Sequence, residues 1–217
     1  MSIKIWSNGQ KGAFLHCHNT PSANVKTGDM AQLAVLPIRV TPTELMKTRK
    51  DNLICGSCPL QSGKGCYVNP VVYNSVQSGS KPGNMPKLNK PIRLGSYGDP
   101  GLLPIEVLEE CLDKAPGWTG YTHQWQDIDK AYSQYLMASI DSISSATRQQ
   151  AKEKGYRTFR ILSDKDSLEV GEVLCPNYTH NTSCRDCGLC SGTKGKGKID
   201  IAIPVHGPAN KIKAFNK

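Results

Sequence analysis

Seven of the nine cysteines in this 217-residue chain fall into two spaced groups. The carboxyl-terminal group is Cys175-Pro176 followed by Cys184-x-x-Cys187-x-x-Cys190. Tetrahedral zinc sites usually take two separated C-x-x-C hairpins, each supplying two ligands from one turn. Three cysteines at successive x-x spacing instead wrap one side of a cuboidal cluster, as in ferredoxin-type runs, and a fourth thiolate comes from elsewhere. Cys175 is the candidate fourth ligand. The pattern favours a [4Fe–4S] cluster, with zinc as the alternative.

The other group is Cys55-Gly56-Ser57-Cys58-Pro59 and then Cys66, a C-x2-C-x7-C series in a glycine-containing loop. Cys17, between His16 and His18, is the nearest candidate to complete it. If nothing does, a cluster held by three thiolates keeps one iron open for a ligand, as catalytic zinc keeps an open position. A second structural zinc using Cys17 or a histidine is the competing reading. Cys111 lies on the apolar face of a predicted helix and reads as a buried core thiol.

Composition narrows the choices. At this length one domain is expected, and it buries enough surface to fold without staples. The amino terminus, MSIKIWSNGQKG, lacks the apolar region of a secretory signal, and no apolar run approaches a membrane span of about 20 residues. A cytoplasmic chain not bound to membrane is therefore expected, in which clustered cysteines bind metal more often than they pair as disulfides. The net charge of +9, from 27 Lys and Arg against 18 Asp and Glu, admits a nucleic-acid or nucleotide partner. The basic residues are scattered, and three Phe and three Trp offer no stacking platform for bases.

These cysteines must be held by something, and the chain around them reads as α/β. Residues 1–50 form an irregular or β-rich segment with a short helix. Within it, LAVLPIRV from Leu33 is an edge strand at best because of Pro37, and Thr41-Pro42-Thr43-Glu44 is a capping box that starts the helix. Residues 51–172 form the core with the first cysteine group. Here 67–91 reads as a long connection, and Ile92–Leu94, Thr119–His123, Tyr135–Ile140 and Tyr156–Leu162 read as strands. A helix over PIEVLEECLDKA follows Pro104, another spans 127–133, and a third, capped by Ser142 or Ser144, runs to Gly155. Residues 173–217 hold the second cysteine group and a last strand, Ile199–Val205. The alternation predicts a partial (β/α) barrel or open parallel sheet with cysteine-rich metal-binding loops. Ser96 and Asp99, His123 and Gln124, Asp141 and Ser142, Ser163 and Asp164, and His206 all follow strand ends, where such folds bind ligands.

The segments CGSCPLQSGKGCYVN, IRLGSYGDPG, ASIDS and CPNYTHNTSCRDCGLCSG together resemble a family of phage-encoded, cysteine-rich proteins. More remotely, they look like a shortened radical S-adenosylmethionine enzyme. The resemblance covers roughly residues 52–192 and implies a host-cytoplasmic location. It implies that Cys55, Cys58 and Cys66 bind a [4Fe–4S] cluster whose open iron chelates the amino and carboxylate groups of S-adenosylmethionine. It further implies that Ser96, Tyr97, Gly98 and Asp99, in the glycine-rich motif, contact the cofactor's amino group, and that Ser139 and Asp141 meet its ribose or carboxylate. Cys175, Cys184, Cys187 and Cys190 are similar to an appended auxiliary-cluster module, structural or relaying electrons. The expected function is a radical S-adenosylmethionine-like enzyme acting on a nucleotide, nucleic acid or peptide. The alternative is a non-enzymatic zinc or iron–sulfur protein binding nucleic acid or a host protein. A metal-dependent nucleic-acid-modifying enzyme using His123 and His206 is a third reading, without an H-E-x-x-H spacing to support it.

Overall fold

A computed structural model of the chain describes residues 2–16, 25–61, 65–66, 68–141, 145–163 and 166–216. An antiparallel meander opens it: β1 (Ser2–Ser7), β2 (Lys11–His16) and β3 (Ala31–Pro37). The short β4 (Lys81–Pro82) adds in parallel to the outer side of β1. On the other side β5 (Ile92–Leu94) pairs parallel with β3, and β6 (Trp118–Thr119) pairs parallel with β5. The order of this first sheet is β4-β1-β2-β3-β5-β6.

The second sheet is wholly parallel. It contains β7 (Tyr121–Thr122), β8 (Met137–Ile140), β9 (Thr158–Leu162), β10 (Glu172–Leu174) and β11 (Asp200–Pro204), in the order β10-β11-β9-β8-β7. Only Gly120 separates β6 from β7, so one extended run carries the chain from sheet to sheet. The Gly120 N–H donates to Cys190 O at 2.7 Å, and its carbonyl accepts from Met137 N–H at 3.1 Å. A Cβ at Gly120 would lie 2.9 Å from both Leu94 and Leu136, so the close approach requires glycine. Read across this run, β3, β5, β6/β7, β8, β9, β11 and β10 form an open array of parallel strands that does not close into a barrel.

The expected edge strand around Pro37 is instead central. β3 lies between β2 and β5 and is buried along its whole length. Proline is tolerated because it is the last residue of the strand, beyond the β5 ladder that ends at Leu33, and its carbonyl accepts from Gln77 Nε2 at 2.6 Å.

Helix α1 (Pro42–Lys47) starts as its sequence predicts, with Glu44 N–H donating to Thr41 Oγ1 at 3.1 Å. Helix α2 (Asn52–Cys55) carries the first cysteine. The long connection expected over 67–91 contains a third helix, α3 (Pro70–Gly79), entered by the same device: Asn69 Oδ1 accepts from Val71 N–H, and Pro70 takes the first helical position. Helix α4 (Ile105–Asp113) buries Val107, Leu108 and Cys111. The helix expected over 127–133 is a 3₁₀ turn at Lys130–Gln134 capped by Asp129.

Helix α5 (Ser145–Glu153) covers one face of the second sheet, where Ala138 and Ile140 pack with Ala151, Trp125 and Tyr156. Its candidate caps Ser142 and Ser144 lie outside the described residues. Strand alternation turns Met137 to the opposite face, with Phe159, Ile201 and Ile203. That face is covered by the carboxyl-terminal cysteine loop, through Cys175, Leu189 and Cys190. The loop carries α6 (Pro176–His180) and α7 (Cys184–Cys187), and α8 (Ala209–Phe215) ends the chain. Among the described residues no helix is long and apolar enough to cross a membrane.

Candidate metal centres

The first cysteine group hangs from the carboxyl end of β3, through α1 and α2. Cys55 closes α2, with its N–H donating to Asp51 O at 2.8 Å. Cys58 N–H returns to Cys55 O at 3.1 Å, and the longer x7 spacing closes as a turn in which Cys66 N–H donates to Leu60 O at 2.8 Å. The three sulfurs come close enough to act on one another. Burial, then the charges of Cys58 and Cys66, push the Cys55 thiol far above the ordinary range. Burial and Cys58 likewise raise Cys66, against the opposing Val68 backbone amide and Lys211 on α8.

Three strand ends beside β3 support this loop. The glycine-rich turn after β5 lies down on β3 and α2, with Ser96 N–H donating to Leu33 O at 2.9 Å and Asp99 N–H to Ile54 O at 2.7 Å. Gly98, at φ +70°, leaves no room for a Cβ, which would sit 2.4 Å from Val35 O. Ser96 Oγ also reaches Leu33 O at 3.3 Å, so its hydroxyl fastens the turn to β3. Tyr97 points inward, 3% exposed, against the Tyr73 ring at 5.1 Å between centroids.

Asp99 is the hub of the site and is buried. One carboxylate oxygen accepts from Gly101 N–H at 2.9 Å and Thr122 Oγ1 at 2.6 Å. The other accepts from His123 N–H at 2.8 Å and Gln124 Nε2 at 3.3 Å. Gln124 extends this hub to the cysteines: Nε2 also donates to Cys55 O at 3.0 Å, and Oε1 accepts from Ser57 N–H at 3.0 Å and Ser57 Oγ at 3.1 Å. The sequence places Gln124 only among the strand-end polar residues. Its clamp on the loop spans 67 positions to Ser57, which no local pattern reveals.

His123 stands between two carboxylates, with Nδ1 3.8 Å from Asp99 Oδ2 and Nε2 3.6 Å from Asp141 Oδ2. Burial opposes its charge, but Asp99 and the neighbouring Cys58 sulfur outweigh it and lift its pKa to about 10. Asp141 follows β8, and burial raises its carboxyl while His123 pulls it down. Ser139 points to the same face of β8 as Asp141. Among the described residues, nine buried side-chain polar atoms lack a hydrogen-bond partner, and Tyr97 Oη, His123 Nε2, Ser139 Oγ and Asp141 Oδ2 are four of them. All four lie at the carboxyl ends of β5, β7 and β8.

The second group is fixed by different means. Ser183 caps α7 by accepting from Asp186 N–H at 3.2 Å, and Gly188, at φ +64°, ends it. The helix is held to the segment before β3, where Cys184 N–H donates to Lys26 O at 2.8 Å and Arg185 N–H to Thr27 O at 3.1 Å. Cys175 precedes α6, with its N–H on Ala202 O of β11 at 2.8 Å. The Cys190 thiol is driven far up, by burial first and then by Cys175, Cys184 and Cys187. All four sulfurs therefore share one region. Sequence reasoning passes over Arg157, which donates to Leu189 O at 3.1 Å and Ser191 O at 2.5 Å, on either side of Cys190.

All eight described cysteines are free thiols, and Cys111 is a core thiol that burial pushes up to about 12. Among the described residues no group of three or more His, Cys, Asp or Glu side chains is drawn together tightly enough to hold a metal ion as it stands. Cys17 and His18 lie outside the described residues, as do Ser142 and Asp164. His16 Nδ1 shares a hydrogen bond with Ser2 Oγ at 2.6 Å. At the end of β11, His206 Nδ1 pairs with Pro204 O at 2.9 Å.

Comparison with protein-family profiles, with curated proteins and with solved structures finds no match for the chain.

Proposed function

We propose that this chain is an iron–sulfur protein acting as a radical S-adenosylmethionine-like enzyme. One observation carries the reading: four buried polar atoms without a hydrogen-bond partner, two of them facing each other as the His123–Asp141 ion pair, lie at three neighbouring strand ends beside a loop with three mutually coupled thiols. Leaving a buried polar group unsatisfied costs about 1–3 kcal/mol. Tyr97 Oη and Ser139 Oγ, which have neither a hydrogen bond nor an ion pair, fit a site completed by a polar ligand. The donor set fits as well. Three thiolates hold a cuboidal cluster and leave one iron free, and Ser139 and Asp141 offer a hydroxyl and a carboxylate to the amino or hydroxyl groups of a bound cofactor.

With its cofactors bound, such a site supplies one-electron reduction of a sulfonium and hydrogen abstraction from carbon. The chain's own residues do the rest. Cys55, Cys58 and Cys66 bind the cluster. Gln124 and Asp99 hold the cysteine loop against the sheet, so the sulfurs keep their positions through the reaction. Asp141 and Ser139 orient the cofactor, and His123 stands between Asp99 and Asp141 beside Cys58. Tyr97, Gly98 and Ser96, through their buried contacts with β3, α2 and Tyr73, form the floor of the site on which the cofactor's amino group would rest. Cys175, Cys184, Cys187 and Cys190 form a second metal–thiolate centre on the sheet face opposite α5. The positive net charge fits a nucleotide or nucleic-acid substrate.

A second reading is a metal–thiolate protein without catalysis whose basic surface binds nucleic acid or a host protein. The exposed Lys194, Lys196 and Lys198, in the loop after Cys190, favour it. Oxygen-free protein reduced with dithionite separates the two. Cleavage of added S-adenosylmethionine, abolished by Cys58→Ala, supports the enzyme. Reduced, iron-loaded protein that leaves S-adenosylmethionine intact supports the binder.

A further inference from the structure

Arg157 precedes β9 and is 8% exposed. Its guanidinium donates to the carbonyls of Leu189, Ser191 and Ile199. The loop opposite is shaped to admit it: a Cβ at Gly197 would lie 2.6 Å from one terminal nitrogen and 2.7 Å from the other. Nε finds no partner. Among the described residues no carboxylate comes within ion-pair distance of this guanidinium. The nearby Asp200 is engaged by Arg148 at 2.8 Å and by Thr158 N–H at 2.9 Å.

A buried cation without a counter-ion is costly, because carbonyl dipoles only partly replace water. In nearby parts of the fold the same chain meets that cost with carboxylates: Arg160 pairs with Glu172 at 2.5 Å, and Arg148 with Glu169 and Asp200. Arg157 has thiols in their place. It brackets Cys190 through the carbonyls on both sides, and Cys190 lies with Cys175, Cys184 and Cys187. Neutral thiols do not compensate a guanidinium. Four thiolates around a divalent zinc ion or an oxidised cubane carry a net negative charge, and that charge does. Arg93, whose guanidinium reaches Thr27 Oγ1 at 3.0 Å, adds positive charge near Cys184.

We propose that Arg157 is a positioning residue of the second centre: a built-in counter-cation, held beside Cys190 by the carbonyls of Leu189 and Ser191, whose buried charge requires an anionic metal–thiolate group there. The inference rests on the reading of the second cysteine group as a metal site and adds what sets its charge.

The test uses the full chain, reduced and metal-free, in a Cys58→Ser background so that the first group does not compete. Zn²⁺ is the probe, titrated against a chromophoric chelator. Outer-shell partners of metal ligands typically contribute about 10- to 100-fold in affinity. Arg157→Gln should weaken Zn²⁺ binding by that factor, whereas Arg157→Lys, which keeps the charge and loses the fork of carbonyl contacts, should stay within about threefold of the parent. Equal losses in both variants would reduce Arg157 to a brace for the loop, and no loss in either would remove it from the centre; both overturn the proposal. Should Arg157→Gln fail to fold, Arg157→Met, which fills the same space without a buried charge, takes its place under the same limits. A parent that takes up no Zn²⁺ at all would instead refute the second metal site itself.

Discussion

The side-chain amide of Gln124 occupies the space where a Cβ on Gly56 would stand, 2.1 Å from its Oε1. Gly56 also has φ +56° and ψ −128°, a conformation that other residues adopt only under strain. The first cysteine loop and the turn after β7 are thus fitted to each other at a residue lying between Cys55 and Cys58.

Gly56→Ala should therefore destabilise the chain by about 2–3 kcal/mol, from backbone strain and the displaced amide. Denaturant unfolding of the metal-free protein measures this. The loaded variant should lose the metal of the first centre and keep that of the second. Wild-type stability with full metal content would mean that the loop does not need this fit.

Gln124→Leu removes both halves of the clamp while keeping bulk. It leaves Cys55 O, Ser57 N–H and one Asp99 oxygen short of a partner, a loss of about 1–3 kcal/mol. Gln124→Glu sets a buried carboxylate oxygen against Asp99 Oδ2 and Cys55 O in place of the donating amide, and should fall below Leu. Iron content of the three proteins, compared after identical reconstitution, should follow the same order.

Tyr97→Phe has the opposite sign. The hydroxyl is buried and unpartnered in the metal-free chain, so its removal should leave stability unchanged or raise it by up to about 1 kcal/mol. A clear loss in the thermal midpoint would show that the phenol is bonded and would withdraw it from the set of orphaned groups on which the site rests.

The buried pair Arg160–Glu172 makes a prediction about pH. Burial works to raise the Glu172 carboxyl, but Arg160, the Glu169 backbone amide and Arg148 outweigh it and hold the pKa below its ordinary 4.5. A carboxylate with a depressed pKa in the folded state contributes fully above its ordinary value and loses that contribution as pH falls through the folded one. Glu172→Gln should cost about 3 kcal/mol near neutrality, because it takes the two-point carboxylate partner from the buried Arg160, while Arg148 keeps Glu169 and Asp200. The gap to wild type should close as the pH falls from the ordinary 4.5 through the depressed folded-state value. Urea midpoints at several pH values test this, and a gap independent of pH would contradict it.

Much of this architecture is written in local sequence signals. Thr41-Pro42 caps α1, Pro104 opens α4, and the apolar β-branched runs mark β8, β9 and β11. The two cysteine groups are legible as residue types and spacing. Asn69-Pro70 carried the same signature as α1 and was hidden by the surrounding Gly, Ser and Asn. Helices α6 and α7, of five and four residues, are too short for periodicity to register, and β10 has only three. Pro37 misled because its effect depends on its place in the ladder, which only pairing with β2 and β5 decides. Gln124 and Arg157 act across long sequence separations, so neither has a local signature. A glutamine in a turn and an arginine near the start of a predicted strand both look like surface until the sheet brings them to the cysteines.

Metal content of protein purified without oxygen tests the central claim most directly. Two clusters require about eight iron atoms and as many sulfides per chain, falling to about four in Cys58→Ala and in Cys184→Ala alike. Colourless protein holding only zinc, or thiols recovered as cystines with no metal, would contradict the account.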